Sequence, residues 1–492
     1  MKRSSEMART TSTVKKVNSF VEAVTTDVTK SKKDGLTANG AVTRKTSGKT
    51  HLDLFAIAGS ARNAQNDVVS LFTKAYADDK ELALRILLWL RDIRGGAGER
   101  QAFRNVIRHL AVNDPVVVEK LIPYVAEYAR WDDMIESLPV MSTLFVKAAK
   151  EVKNAIDSGN GLASKWCARK GAVAVALRDA WGMSPKQYRR FVVDNTKVVE
   201  TLMCNKEWDA IEFNKLPSLA GLRYQKAFAK NAPTKYELFK TKLVKGEVKI
   251  NVATLFPHNI VTNVRMGTGD VTVMNESWKA LPNYLGNKDG NVLVMSDVSG
   301  SMSTNVSGST TALDVSLALG LYTAERLRGP FKDMVLTFSE HPAFHKITGV
   351  TLRDRMNNLN RAKWDMSTNL QAAFKLVLDT GLKNSVPQAD MPETIVVISD
   401  MEFNRCANKT NFGGIKTQYA NAGYKMPKLV FWNAHGRADN NPVKHDEDGT
   451  AMVSGFSPAI LSAVLTDKEF DPMSTMLDVV MNPRYDIAEE VV

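Results

Sequence analysis

The apolar residues between positions 52 and 245 recur with the period of an α-helix. Phe103, Val106, Ile107 and Leu110 fall at i, i+3, i+4 and i+7, which places them on one helix face. The preceding stretch "ELALRILLWLRDI" is apolar on nearly all sides, so we expect its helix to be central in a bundle. The pattern therefore predicts an all-α domain in this part of the chain.

Clear start and stop signals separate these predicted helices. The glycines of "RGGAGER" end one helix and permit a tight turn. Asp114-Pro115 and Ser184-Pro185 each combine an N-cap residue with proline at the first helical position. Helices joined by short loops favour HEAT-like antiparallel repeats, although the sequence shows no strict repeat period.

The pattern changes near Gly246. "EVKINVATLFPHNIV" indicates a strand-like crossing segment that ends at its proline, and the linker-like "PNYLGNKDGN" places a domain boundary near residue 285. After it, amphipathic helical segments alternate with the apolar runs "NVLVMSD", "DMVLTFS", "ETIVVISDM", "KLVFWNA" and "GTAMVSGFS". Because continuous apolar strands are buried on both faces, we expect a mostly parallel sheet in a doubly wound, Rossmann-like α/β domain.

Length and composition agree with a multidomain globular protein. A chain of 492 residues exceeds a single core, and its 44% hydrophobic and 24% charged residues are ordinary values. The first 50 residues are polar, basic and nearly free of aromatic side chains, which predicts a disordered tail. We therefore divide the chain into a basic tail at 1–50, an α-helical repeat domain at 51–285 and an α/β domain at 286–492.

Two further features bear on location. The sequence has no apolar run long enough to span a bilayer and no secretory signal, so we expect no membrane partner. Cys167, Cys204 and Cys406 lie far apart, without the spacing of metal ligands. Such cysteine usage indicates a reducing compartment, and we expect a cytoplasmic protein.

Positive charge is concentrated in one region. The formal net charge is +12, and residues 151–250 hold 19 Lys/Arg against 10 Asp/Glu, whereas residues 286–492 hold 20 against 24. This asymmetry predicts a polyanion as the partner of the first half of the chain.

The cations of this region fall into two groups that contain aromatic residues. Trp166 and Tyr188 belong to the first group, and Tyr224 and Phe228 belong to the second. Phosphate neutralisation beside base stacking is how RNA is bound, so RNA is the predicted partner. The candidate RNA-binding residues are Lys165, Arg169, Lys170, Lys186, Arg189, Arg190, Arg223, Lys226 and Lys230. The alternative is a set of ordinary amphipathic helices, with the aromatic rings in the core and the cations in water.

Oxygen-bearing side chains follow two of the predicted strands. Asp297, Ser299 and Ser301 form an Asp-x-Ser-x-Ser turn after one strand, and Asp400 ends another, with Thr368 in a loop between them. Ligands of open α/β sheets bind beyond the carboxyl ends of the strands. Hard oxygen donors suit Mg²⁺ (or Mn²⁺), so these five residues are the candidate metal ligands. Any one of them could instead be a helix cap.

The same edge of the sheet shows little sign of catalytic groups. No histidine or lysine stands at a matching strand end as a general base, and there is no P-loop. Glu402 is interpreted as a solvated loop residue. We therefore expect a protein that is not an enzyme, has no small-molecule substrate, and uses the metal to dock a partner's carboxylate or phosphate.

The arrangement of Asp297, Ser299, Ser301, Thr368 and Asp400 resembles the metal-ion-dependent adhesion site of von Willebrand factor A domains. The resemblance implies that the two serines and the threonine ligate the metal directly, and that the two aspartates act largely through waters.

A second resemblance covers residues 68–480. "RDIRGGAGERQAF", "YARWDDM", "ISDMEF" and "VFWN" resemble the Ro (TROVE-domain) ribonucleoproteins and, more closely, a related family of plants, fungi, bacteria and viruses. It implies helical repeats that curl into a ring closed by the A domain. It also implies structured or misfolded small RNA on a basic outer surface. The alternative function is a protein-docking or structural module, associated with a virion, that holds a partner carboxylate through the metal.

Overall fold

The structure is a computed structural model in which two domains follow one another along the chain. The described residues are 34–37, 39, 42–61, 65–286, 291–338, 341–362, 369–403, 411–436, 441–465 and 470–492. Among them, no helix has the length and apolar character needed to cross a bilayer.

The first domain is built from helices. They are α1 (Thr50–Ala58), α2 (Gln65–Asp78), α3 (Lys80–Arg91), α4 (Arg100–Asn113), α5 (Pro115–Leu121), α6 (Val125–Tyr128), α7 (Asp132–Ile135), α8 (Thr143–Asp157), α9 (Gly161–Lys165), α10 (Gly171–Ala180), α11 (Pro185–Asn195), α12 (Val199–Cys204), α13 (Ser218–Arg223), α14 (Gln225–Asn231), α15 (Pro233–Val244), α16 (Pro257–Arg265) and α17 (Val271–Ala280). Many neighbouring helices pack on one another, as α1 does on α2 and α2 on α3, which confirms the predicted helical-repeat fold.

Proline marks the start of several of these helices. At α11, Ser184 Oγ accepts a hydrogen bond from the Gln187 N–H at 3.3 Å, and the Ser184 N–H donates to Gln187 Oε1 at 2.8 Å. This capping box confirms the predicted start signal. The predicted strand-like segment ending at Pro257 is wrong, because Pro257 is the first residue of α16 and no strand precedes it in residues 246–256.

The second domain contains a six-stranded sheet in the described residues. Its strands are β3 (Val292–Asp297), β6 (Met334–Phe338), β7 (Phe344–Lys346), β8 (Thr394–Ser399), β9 (Lys428–Asn433) and β10 (Thr450–Ser454), and a small ribbon pairs β4 (Asn305–Ser307) with β5 (Thr310–Thr311). The order is β10-β9-β8-β3-β6-β7, with β7 antiparallel to β6 and the other pairs parallel. This is the strand order of doubly wound sheets, as predicted.

Helices accompany this sheet. They are α18 (Ala312–Arg326), α19 (Leu352–Leu359), α20 (Leu370–Lys383), α21 (Asn411–Asn421), α22 (Leu461–Val464), α23 (Pro472–Val480) and α24 (Ile487–Val491). Every residue of β3 and β8 is buried, which explains why their sequences are apolar without alternation. Gly320 lets α18 approach β3, because a Cβ there would lie 2.1 Å from Ser296 Oγ.

The α/β domain holds the first helix of the helical domain. The Gly59 N–H donates to Ser454 Oγ at 3.0 Å, and that hydroxyl donates to the Phe55 carbonyl at 2.6 Å. A Cβ on Gly59 would lie 2.6 Å from the Ser454 carbonyl oxygen. Further along the chain, Arg484 NH2 donates to Asp92 Oδ1 at 2.9 Å. The end of α1 and the end of α3 are therefore fixed to the second domain.

The α/β domain also holds the last helices of the helical domain. Arg265 at the end of α16 forms a forked ion pair with the buried Asp314 of α18, with N–O distances of 2.7 and 2.8 Å. Trp278 Nε1–H of α17 donates to Glu325 at 2.9 Å. Because both ends of the helical array contact the same domain, the chain forms a closed arrangement of the kind that the Ro resemblance implies.

Part of the predicted basic tail has regular structure. Residues 34–36 and 42–44 form a hairpin of β1 (Asp34–Leu36) and β2 (Val42–Arg44), and α1 begins at Thr50. The prediction of disorder is therefore wrong for residues 34–37, 39 and 42–50, and residues 1–33 lie outside the described residues. The predicted boundary near residue 285 falls between the end of α17 and the start of β3.

Candidate functional site

Two buried aspartates meet where the strand order of the sheet reverses. β3 lies between β6 and β8, and the register pairs Ser296 with Ile398. Asp297 ends β3, and Asp400 follows the last residue of β8, so both stand at the carboxyl edge of the sheet. Neither side chain is exposed to solvent. This edge is the crevice in which doubly wound folds bind ligands.

Local hydrogen bonds hold the Asp297 carboxylate. Its Oδ1 accepts from the Ser299 N–H at 2.8 Å, and its Oδ2 accepts from Ser399 Oγ–H at 2.6 Å. The hydroxyls of Ser299 and Ser301 lie 3.1 Å apart. The turn therefore brings three of the predicted ligands together, and Ser399 is a positioning residue that the sequence prediction missed.

The Asp400 carboxylate accepts fewer hydrogen bonds than that of Asp297. Its Oδ1 accepts from the Glu402 N–H at 3.1 Å, while its Oδ2 is buried and has no hydrogen-bond partner among the described residues. Between them, Met401 has a φ of 65°, a left-handed conformation that is rare for a residue with a side chain. Glu402 is buried, so its interpretation as a solvated loop residue is wrong. Thr368 lies outside the described residues.

The electrostatics of the pair favour a cation. Burial, followed by repulsion from Asp400, raises the pKa of Asp297 to about 6, against the opposing hydrogen bonds of Ser399 and Ser299. No group of three or more His, Cys, Asp and Glu side chains that could hold a metal occurs in the described part of the chain. The donors here are two carboxylates and neutral hydroxyls, a set of hard oxygen ligands that fits Mg²⁺.

The N-terminal hairpin lies against this edge. Thr37 Oγ1–H donates to the Phe403 carbonyl at 2.6 Å, and Asn39 Nδ2–H donates to the Glu402 carbonyl at 2.7 Å. Thr43 Oγ1–H donates to the Asn441 carbonyl at 3.1 Å. The segment interpreted as a tail therefore supports the loop that carries Asp400.

The predicted RNA-binding cations lie on neighbouring helices of the first domain. We use "cationic surface" for Lys165, Arg169, Lys170, Lys186, Arg189, Arg190, Arg223, Lys226 and Lys230. All of them except Lys165 are exposed. The two groups meet at Glu200, which accepts from Lys165 Nζ at 2.6 Å and from the Tyr224 hydroxyl at 2.9 Å.

The members of the cationic surface differ in whether they form ion pairs or hydrogen bonds with other side chains. Lys165 is paired with Glu200, Arg169 NH2 donates to Thr196 Oγ1 at 2.9 Å, and Arg190 Nε lies 3.4 Å from Asp194. Ion pairs to acidic side chains are absent, within the described ranges, for Lys170, Lys186, Arg189, Lys226 and Lys230. These five are the cations most available to an anionic partner.

The aromatic residues do not provide the predicted stacking surface. Tyr188 is buried and its hydroxyl donates to the Ala168 carbonyl at 2.8 Å, and Phe228 is buried in a cluster with Phe213. Trp166 is half-buried, with the Arg130 guanidinium 3.6 Å from its ring centroid. For Tyr188 and Phe228, the alternative of a core role is correct.

Two family models match different parts of this chain. Residues 291–489 match a family described as a domain of unknown function (DUF7788), and residues 37–128 and 176–293 match another such family (DUF2828). The chain itself consists of a helical-repeat domain followed by a doubly wound α/β domain.

Two proteins that are similar to this chain each align with most of its length. A protein of Acanthamoeba polyphaga mimivirus, described as Uncharacterized protein L728, is 28% identical over 92% of this chain and 89% of its own length. The crystal structure of the Deinococcus radiodurans RO (RSR) protein aligns with 86% of this chain and 87% of its own, at 15% identity and a TM-score of 0.33. At that score the superposition itself carries no structural conclusion.

Proposed function

We propose that this Ro-like protein binds RNA through its cationic surface and carries a Mg²⁺-dependent docking site on its α/β domain, with binding rather than catalysis as its activity. The observation that supports RNA most directly is the set of exposed cations that have no acidic partner in the described residues, such as Lys170, Lys186 and Arg189. Lys170 directly precedes α10 and the other two lie on α11, so they offer neighbouring charges to a chain of phosphates.

The buried aromatic rings change the kind of binding to expect. Since Tyr188 and Phe228 belong to the core, the surface offers mainly charge, with Trp166 and Tyr224 as partly exposed rings. Phosphate contacts carry little sequence information and release counterions. RNA affinity should therefore fall steeply with salt and depend more on RNA shape than on sequence.

Charge reversal tests the RNA proposal. The variant Lys170→Glu/Lys186→Glu/Arg189→Glu removes three exposed cations, and we expect RNA affinity to fall at least about tenfold and the salt slope to drop by about 3. The measurement is fluorescence anisotropy of labelled RNA over a salt series. A matched control, Lys120→Glu/Lys383→Glu/Lys425→Glu, makes the same change in charge at exposed positions elsewhere. If RNA affinity fell equally in the two variants, the fall would be due to net charge alone. The cationic surface would then no longer be part of the proposal.

The buried aspartates at the carboxyl edge of the sheet, which we call the carboxylate edge, support the proposed Mg²⁺-dependent docking site. Asp297, Ser299, Ser301 and Asp400, with Thr368, would hold Mg²⁺ or Mn²⁺, and the unpartnered Oδ2 of Asp400 is the buried atom that a cation would satisfy. A bound Mg²⁺ with an open position accepts a carboxylate or phosphate oxygen. The chain's own residues orient the donors, through Ser399 on Asp297 and the Glu402 N–H on Asp400.

A docking role without RNA is the second candidate, and the buried aspartate pair favours it. Protein purified from cells separates the two. Bound nucleic acid that survives chelation supports the RNA proposal, whereas a partner protein that is released by chelation and lost in Asp297→Ala supports docking. A preparation with neither nucleic acid nor a metal-dependent partner would contradict both.

A further inference from the structure

A network of arginines lies beside the cationic surface, in a segment that sequence reasoning passed over. Asp132 and Asp133 of α7 are buried. Arg91 Nε donates to Asp133 at 2.9 Å, Arg104 donates to both aspartates at 2.7 and 2.8 Å, and Arg130 Nε donates to Asp132 at 2.8 Å. Three guanidinium groups therefore share two carboxylates, which leaves one positive charge in excess.

Arg100 adds a fourth guanidinium without an acidic partner. It is the first residue of α4, one turn before Arg104, and it is exposed. It forms no hydrogen bond or ion pair to any of the described side chains. Partial burial, followed by repulsion from Arg130 and Arg104, lowers the pKa of Arg100 despite attraction by Asp133 and Asp132. An anion that binds between cations held this close lowers their mutual repulsion and is therefore favoured.

The arginine network is continuous with the cationic surface. The Arg130 guanidinium stacks on Trp166, and Lys165 Nζ lies 5.4 Å from the same ring. Arg169 follows three residues later, and both it and Asp132 act electrostatically on the buried Cys167. Cations thus run from α4 across the start of α7 to the end of α9 and the start of α10.

The chemistry of this cluster selects a phosphate. Arg100 keeps all the N–H donors of a planar fork, which match two oxygens of a phosphate group. Arg100 is also the first residue of α4, where the N-terminal end of the helix dipole favours an anion. A carboxylate partner within the protein is already present for each of the other three guanidiniums.

We infer that Arg100, supported by Arg104 and Arg130, forms a phosphate-binding site that takes a backbone phosphate of the RNA held on the cationic surface. RNA as the source of the phosphate rests on the proposed function, whereas phosphate binding itself does not. The site extends the RNA path from α9–α11 to the start of α4.

The test compares Arg100→Gln with Arg108→Gln, an exposed arginine on the same helix that donates to Asn105 Oδ1 at 2.9 Å. The probes are a fluorescein-labelled oligouridylate and a labelled RNA hairpin. We expect Arg100→Gln to weaken RNA binding about tenfold and to lower the salt slope by about 1, with Arg108→Gln within about twofold of wild type. Both variants should keep the wild-type Tm, because neither side chain holds a buried acid.

A second arm uses inorganic phosphate alone. Phosphate should raise the Tm of the wild type relative to chloride at equal ionic strength, and Arg100→Gln should lose that rise. Wild-type RNA affinity in Arg100→Gln together with an unchanged phosphate effect, with RNA bound by the unaltered protein, would overturn this site and leave the proposed function standing. A phosphate effect that disappears in Arg100→Gln while RNA affinity does not change would overturn RNA as the occupant. Failure of the unaltered protein to bind RNA would overturn the proposed function as well.

Discussion

Replacing Asp400 by asparagine should have opposite effects on the protein with and without metal. Without metal, the fully buried Asp297 carries a pKa raised from 3.8 to about 6, which corresponds to about 3 kcal/mol of unfavourable free energy at neutral pH. Burial is the larger cause and repulsion from Asp400 the second, so we assign about 1 kcal/mol to the repulsion. Asp400→Asn removes that repulsion and should stabilise the metal-free protein by about this amount.

The pH dependence provides an internal check on the sign. A carboxylate whose folded pKa is raised binds its proton more tightly in the folded state, so its unfavourable contribution shrinks as the pH falls from about 7 to about 4. In the metal-free protein, the free energy difference between Asp297→Asn and wild type should therefore narrow over this range. In Mg²⁺, wild type should instead be more stable than Asp400→Asn. Wild type gains the free energy of metal binding, which Asp400→Asn has lost.

The assay is urea unfolding in chelator and in saturating Mg²⁺. Asp390→Asn, an exposed aspartate in the same domain, is the control and should change stability by less than about 0.5 kcal/mol. Two results would refute the interpretation of the pair. One is a metal-free Asp400→Asn protein that is less stable than wild type. The other is an equal Mg²⁺-dependent gain in the two proteins.

Two further predictions concern the fold around the sites. Asp133→Asn should cost about 3–5 kcal/mol because it leaves buried guanidiniums unpaired, and the arginines that lower the pKa of Asp133 make its contribution present at neutral pH and lost as the pH falls below about 4. Unfolding free energies of both proteins over pH 3–7 check this, and a constant difference would contradict it. Gly59→Ala should destabilise by about 1–3 kcal/mol, since its Cβ would meet the Ser454 carbonyl, whereas Gly221→Ala within α13 has room and should not destabilise. Calorimetric Tm values that fail to separate the two glycine variants would show that the contact between α1 and β10 is compliant.

The strands and most of the carboxylate edge could be predicted because their signals are local. The apolar run before Asp297 or Ser399 predicts a buried strand, and the polar residue predicts where that strand ends. Pro257 was misjudged because proline both ends extended segments and begins helices, and the choice depended on Asn259 Oδ1 accepting the Phe256 N–H. Local patterns of this kind predict the fold class, but they do not predict the structure of the segments that join its elements.

The remaining features depend on contacts between distant positions. Arg91 and Arg104 meet Asp133 only because α3, α4 and α7 pack together, so spacing could not separate these arginines from solvated ones. The hairpin was missed because Thr37 and Asn39 are polar and pack on the loop after β8 by hydrogen bonds rather than by apolar burial. Buried aromatic rings such as Tyr188 followed the ordinary amphipathic pattern.

The most direct test of the central claim is ultraviolet crosslinking of bound RNA, with the crosslinked peptides located by mass spectrometry. RNA binding on the cationic surface predicts crosslinks in peptides from residues 161–195 and 218–231, and fewer crosslinks as salt rises. Crosslinks confined to residues 291–489, or none from a protein that is folded and freed of competing nucleic acid, would contradict it.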